Sequence, residues 1–99
     1  MLTTAQQKFL RSHAHHLSPV VWVGASGVTE ALLNELSQTL DTHELIKVKL
    51  LNDDRDQRQA MIEALIVASG AEKVQSIGKV VVLYRANAKQ PKITLPRSR

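Results

Sequence analysis

The sequence of 99 residues has no cysteine, so neither a disulfide framework nor a thiolate metal site can hold it together, which agrees with a reducing compartment. Its aromatic residues are only Phe9, Trp22 and Tyr84, too few for a platform of several rings on which nucleobases could stack. No apolar run approaches the length of a membrane span, and the first ten residues lack the core of a signal peptide. The chain therefore reads as soluble and cytoplasmic. No internal repeat or low-complexity segment is present. At this length one domain buries about 60–65% of its unfolded surface, which leaves little room for an enclosed substrate cavity.

Acidic residues are missing from both ends. Residues 1–29 carry Lys8 and Arg11 and no acid, residues 30–72 carry all nine acids against four bases, and residues 73–99 carry seven bases and no acid. If the two ends of the chain meet in the fold, this segregation produces one basic and one acidic face, and a basic face is the footprint of a polyanion. A solvated surface with a basic tail explains the charge equally well.

The periodicities order the elements. Thr4 and Gln7 fit a capping box, and the helix they open runs to about His15 with Leu10, Ala14 and Leu17 on one stripe and Lys8, Arg11 and His15 on another. Ser18-Pro19 stops it. Val20 to Val23 reads as a strand apolar on both faces, with core packing the expected role of Trp22 and stacking on a base the alternative. Thr29 caps a second helix with Leu32, Leu36 and Leu40 buried and a Val28–Leu33 staple at its start.

Leu45 to Leu50 alternates, with Ile46, Val48 and Leu50 on one face and Lys47 and Lys49 on a wet, basic one. Asn52-Asp53-Asp54 turns into a helix over 55–69 that buries Met61, Ile62, Leu65, Ile66 and Ala68 and ends at Gly70, with Asp54 and Arg58 spaced as a surface ion pair. Residues 73–77 and 80–84 form a hairpin about Gly78-Lys79. Beyond Arg85 the chain is polar and basic, with Ile93 and Leu95 able to tuck back.

The predicted fold is α/β, a single compact domain over 1–99 in the order α-β-α-β-α-β-β, with a core of about 2–85 and a basic tail of 86–99. Right-handed crossovers make the first three strands parallel, and the hairpin adds an antiparallel fourth, giving one mixed four-stranded sheet with packed helices. The strand order is not legible at this level.

Chemistry concentrates at Gly24-Ala25-Ser26-Gly27, between the first strand and the second helix. Glycines allow a positive φ and a close backbone approach, and the first helical amides lack internal partners at the positive end of the dipole, so the turn is a candidate phosphate-backbone site. A Gly-x-x-Gly is a weak signal alone, and neither a Lys-Ser/Thr nor the dinucleotide spacing accompanies it. Adjacent His13, His15 and His16 cannot converge on one ion, and Asp53, Asp54 and Asp56 form a local acidic turn that caps a helix. No metal, cofactor, small-molecule substrate or catalytic set is expected.

Three strings stand in register: residues 15–30 around Val20-Val21-Trp22-Val23-Gly24-Ala25-Ser26-Gly27-Val28-Thr29-Glu30, His43-Glu44-Leu45-Ile46-Lys47-Val48-Lys49, and Ile77-Gly78-Lys79-Val80-Val81-Val82-Leu83-Tyr84-Arg85. Together they resemble the CRM domain, the chloroplast RNA splicing and ribosome maturation module, over roughly residues 2 to 97, standing alone as in YhbY-type bacterial proteins. The resemblance implies an RNA-binding domain similar in fold to the C-terminal domain of translation initiation factor 3. It implies association with ribosomal RNA in precursors of the large ribosomal subunit, and an RNA-binding loop of Gly24, Ala25, Ser26 and Gly27. KH-type loops usually place a base between the glycines, whereas Ala25 and Ser26 are neutral. Charge must come from neighbours, and Lys8, Arg11, Lys47, Lys49, Lys79 and Arg85 are the candidates. The expected state is a monomer, and structured RNA the expected target. A protein–protein adaptor, using the acidic middle segment or the leucine stripes, is the alternative.

Overall fold

The computed structural model describes residues 2–87 and 89–96; the tail positions Ala88 and Arg97 to Arg99 lie outside the described residues. Its elements are α1 (Thr4–Ala14), β1 (Pro19–Val23), α2 (Glu30–His43), β2 (Leu45–Leu50), α3 (Arg55–Ser69), β3 (Glu72–Ile77) and β4 (Val80–Tyr84). The sheet order is β1-β2-β4-β3, with β1 parallel to β2 and β4 antiparallel to both of its neighbours. The first three strands therefore run in one direction, as expected, and β4 is inserted between β2 and β3.

The alternation along β2 divides the interior into two cores. Ile46, Val48 and Leu50 pack with Val21, Val23, Val81 and Leu83 under α2 and α3, which contribute Leu36, Leu40, Ile62 and Leu65. Leu45, Val82 and Tyr84 face the other way, and α1 covers them with Leu10 and Ala14 while Ile93 and Leu95 of the tail pack alongside. A bulge between Lys73 and Gln75 brings Val74 into this second core.

The caps follow local chemistry. Thr3, one residue before the expected position, caps α1: its hydroxyl accepts from the Gln6 N–H while the Gln6 side chain accepts from the Thr3 N–H. Thr3-Thr4-Ala5-Gln6 satisfies the capping-box spacing as well as the frame beginning at Thr4, and the earlier frame lets Gln6 also donate to the Pro96 carbonyl. Thr29 and Asp54 cap α2 and α3, and Gly70 ends α3 in the left-handed region at φ 73°. Arg58 donates to the Asn52 carbonyl and Asp54 accepts from Gln57, so the expected Asp54–Arg58 pair gives way to separate cap bonds. Ala68 and Leu17 lie exposed, outside the cores expected to hold them.

At the end of α2, Glu44 is, among the described residues, the one non-glycine of positive φ, at 62°, and its side chain is fully buried. Such a conformation costs about 1–3 kcal/mol and persists only where surrounding bonds impose it. Here the Glu44 carboxylate accepts from the amides of Asn87, Lys92 and Ile93, at 2.6, 2.7 and 2.7 Å. Its backbone N–H donates to the Leu40 carbonyl, and its carbonyl accepts from the Arg85 N–H. One acid thus joins α2, β4 and the tail.

Burial opposes the charge on Glu44, but the three amides and the nearby Lys92 ammonium outweigh it and hold the carboxyl below its ordinary value. A carboxyl depressed in the folded state stabilises above its unfolded value, and the contribution disappears as the pH falls through the folded one. Glu44→Gln puts a donor where an acceptor is required, and a loss of about 1–3 kcal/mol is expected at neutral pH. Thermal unfolding from pH 7 downward should show wild type losing stability faster than the variant. Parallel acid limbs would contradict this role.

Candidate nucleic-acid interface

The Gly24 to Gly27 loop leaves the C-terminal end of β1. The Gly27 N–H donates to the Gly24 carbonyl at 3.0 Å, and Gly27 takes φ 72°, which requires a residue without Cβ strain. Ala25 and Ser26 are exposed at its tip, and a Cβ added at Gly24 would meet no atom beyond its chain neighbours within 4 Å. The protein itself therefore does not demand a glycine at position 24. Behind the loop, Thr29 accepts from the Leu32 N–H, and Glu30 places an acid in the first turn of α2. That charge opposes a phosphate on the α2 side.

The end of β2 ties the loop to the hairpin. Leu51 donates to the Val23 carbonyl at 2.8 Å and Leu50 to the Lys79 carbonyl at 2.7 Å. Two strand spacings, about 10 Å, therefore separate the start of the loop from Lys79. The Lys79 ammonium is paired with the exposed Asp53, whose carboxyl it holds below the usual range by that hydrogen bond and by its charge.

The other cations divide between two ends of the molecule. Lys47 and Lys49 are half-buried on the sheet face that α1 only partly covers. Arg11, from the last turn of α1, lines a groove of about 280 Å³ with His15, Lys47, Gln75, Ile77 and Val80. Lys8 is exposed one turn earlier on α1. His13, by contrast, meets edge-on, with centroids 4.6 Å apart, the ring of Phe9, which packs on the second core.

Arg85 does not join this set. Its guanidinium donates to the carbonyls of Ser69 and Ser37 and to the Ser37 hydroxyl and Asp41 carboxylate, all on α2 and α3. It stands at the far end of β4 from the Gly-x-x-Gly loop, where the chain needs a five-donor fork to close two helix ends. The guanidinium expected to meet RNA is thus engaged by acceptors of α2 and α3 in the free protein.

Trp22 also departs from expectation. Val21 and Val23 are buried, but Val20 is 39% and Trp22 52% exposed. The strand is apolar on both faces because one of them is an open surface. Trp22 is in register with Lys49, Lys49 with Val80, and Val80 with Ile77, so these four form one row across the whole sheet. Pairing with Lys49, already assigned to a wet face, would have revealed this had the strand order been legible.

A four-stranded mixed sheet with two helices on one face, one on the other, and cations gathered on the half-open side defines a small α/β domain with a basic sheet face. The chain belongs to the CRS1 / YhbY (CRM) domain family, whose family model matches residues 2–85. It is 47% identical over 96 residues to an "RNA-binding protein" of Haemophilus influenzae, covering 97% of this chain and 96% of that one. It is 40% identical to the "Probable RNA-binding protein YqeI" of Bacillus subtilis, covering 97% and 100%. The solution structure of the Staphylococcus aureus protein SAV1595 superposes with TM-score 0.82 at 38% identity, over 97% of this chain and 100% of that one. No helix of the described residues is long and apolar enough to cross a membrane.

Arg85→Ala should lower stability by about 2 kcal/mol, since it removes the donor to the Ser69 carbonyl at the end of α3 and to the Ser37 carbonyl and Asp41 carboxylate of α2. Lys47→Ala, at a half-exposed site, should stay within about 0.5 kcal/mol of wild type in the same denaturant titration.

Proposed function

We propose that this chain is a non-enzymatic, monomeric, cytoplasmic RNA-binding domain that holds ribosomal RNA in precursors of the large ribosomal subunit and assists ribosome maturation. The observation that carries the RNA reading is the continuity of the Gly-x-x-Gly loop with a sheet face bearing Lys47 and Lys49, next to Arg11. Family membership and the names of the relatives support it, and the resemblance to YhbY-type proteins supplies the ribosomal assignment.

In this reading the loop lets a sugar-phosphate backbone approach the main chain at Gly24, Ala25, Ser26 and Gly27, where the tip amides supply donors. Lys47, Lys49, Arg11 and Lys8 neutralise adjacent phosphates, and Lys79 extends the basic rim once it exchanges Asp53 for a phosphate. Phosphate contacts of this kind position an RNA without reading its sequence.

A Cβ at position 24 meets open space in the free protein, and in this reading a larger side chain there meets the RNA. Gly24→Leu should therefore keep the wild-type melting temperature while weakening RNA affinity at least tenfold by filter binding or anisotropy. Unchanged affinity in the folded variant would remove the loop from the site. Each single replacement of Lys47, Lys49 or Arg11 by glutamine should lower the slope of log affinity against log salt by about 0.7–0.9. Crosslinking in cells followed by sequencing of the attached RNA tests the ribosomal assignment, and reads dispersed over messenger RNA would overturn it.

A further inference from the structure

The row Trp22, Lys49, Val80, Ile77 crosses all four strands at the end of the sheet that carries the Gly-x-x-Gly loop. Trp22 is 52% and Ile77 66% exposed, so two large apolar side chains flank the row in solvent. With strands about 4.8 Å apart, they stand about 14 Å from each other. The next row inward holds Lys47, Val82 and Gln75, and the last turn of α1 borders it with Arg11 and His15. No acid lines this groove. Glu72, the acid of β3, is in register with Tyr84 at the opposite end of the sheet.

We infer that this uncovered half of the sheet takes unpaired nucleobases of an RNA strand, one stacked on Trp22 and a neighbour laid on Ile77 and Val80. The inference rests on the RNA reading above and adds the conformation of the RNA to it. An indole offers its π-face to any base, and such stacking is tolerant of sequence. Gln75 can both donate to and accept from a base edge, and Lys47, Lys49 and Arg11 meet the phosphates between the bases.

Two observations set the course of the RNA strand over this face. Trp22 lies two residues before Gly24, so a backbone held at the loop delivers its next nucleotides directly onto the row. The opposite course, over α2, meets Glu30 at once. In a duplex the base faces are stacked inward and cannot reach Trp22. The occupant is therefore a single-stranded segment, such as a loop or linker within a folded RNA, and a fully paired helix does not fit.

Trp22 is the only tryptophan in the chain, so its emission reports on this surface alone. Titrating the full chain with ten-nucleotide oligo(U) or oligo(A) should quench it to saturation, with the midpoint given by anisotropy of the same labelled RNA. Trp22→Ala should weaken binding about tenfold, Trp22→Phe should restore most of it, and Ile77→Ser should weaken it severalfold. Circular dichroism checks that these exposed-site variants fold, and a blunt duplex of equal length should bind more weakly without quenching.

Anisotropy that reports binding with unchanged emission and wild-type affinity in both Trp22→Ala and Ile77→Ser would overturn the base site and leave the loop reading standing. Quenching by polyglutamate as strong as by RNA would overturn it in favour of an acidic protein. Absence of binding to any RNA at low salt would overturn the RNA reading itself, and this inference with it.

Discussion

The carboxylate of Glu44 is the constraint on which the arrangement of the sheet's second face depends. A buried charge is tolerated only where its lone pairs are met, and here the tail amides of Asn87, Lys92 and Ile93 meet them. The tail is thereby turned back so that Ile93 and Leu95 reach the core beneath α1. The backbone of the same residue fastens the end of α2 to the end of β4. With Arg85 closing the gap between α2 and α3 on the opposite side, the end of the molecule remote from the Gly-x-x-Gly loop is held by charge-assisted bonds rather than by apolar packing alone.

That asymmetry sets what is left for binding. One short helix and a tail segment suffice to cover only the half of the face containing Leu45, Val82 and Tyr84. The other half has no helix to cover it, and it is there that the loop, the two β2 lysines and the lone tryptophan come together. The two ends of the sheet thus divide the labour, one supplying rigidity and the other an open surface with backbone donors at its rim.

Element order, the parallel sense of three strands, and the inward and outward positions of β2 were all legible, because period-two and period-3.6 patterns report faces directly. The membership in the CRM family was legible from the three strings in register. The strand order was not, because inserting β4 between β2 and β3 leaves no local mark, and the exposure of Trp22 depends on that order through its neighbours. The two tail-end charges show the same limit. Arg85 looks like a solvated cation and Glu44 like a helix-end acid, and only the meeting of α2, α3 and the tail, through residues 48 and 49 apart in sequence, turns each into an internal fastener.

The pairing of Lys79 with Asp53 carries one more consequence. A phosphate that takes Lys79 still releases the sodium or potassium condensed on the RNA, but the lysine must first give up a carboxylate that already neutralises it. The entropy of that release is offset in part by the exposed ion pair that is broken. Lys79 is thus a cation whose net contribution falls below that of an unpaired lysine, and the liberated Asp53 makes the hairpin end of the surface repel any strand that overshoots it.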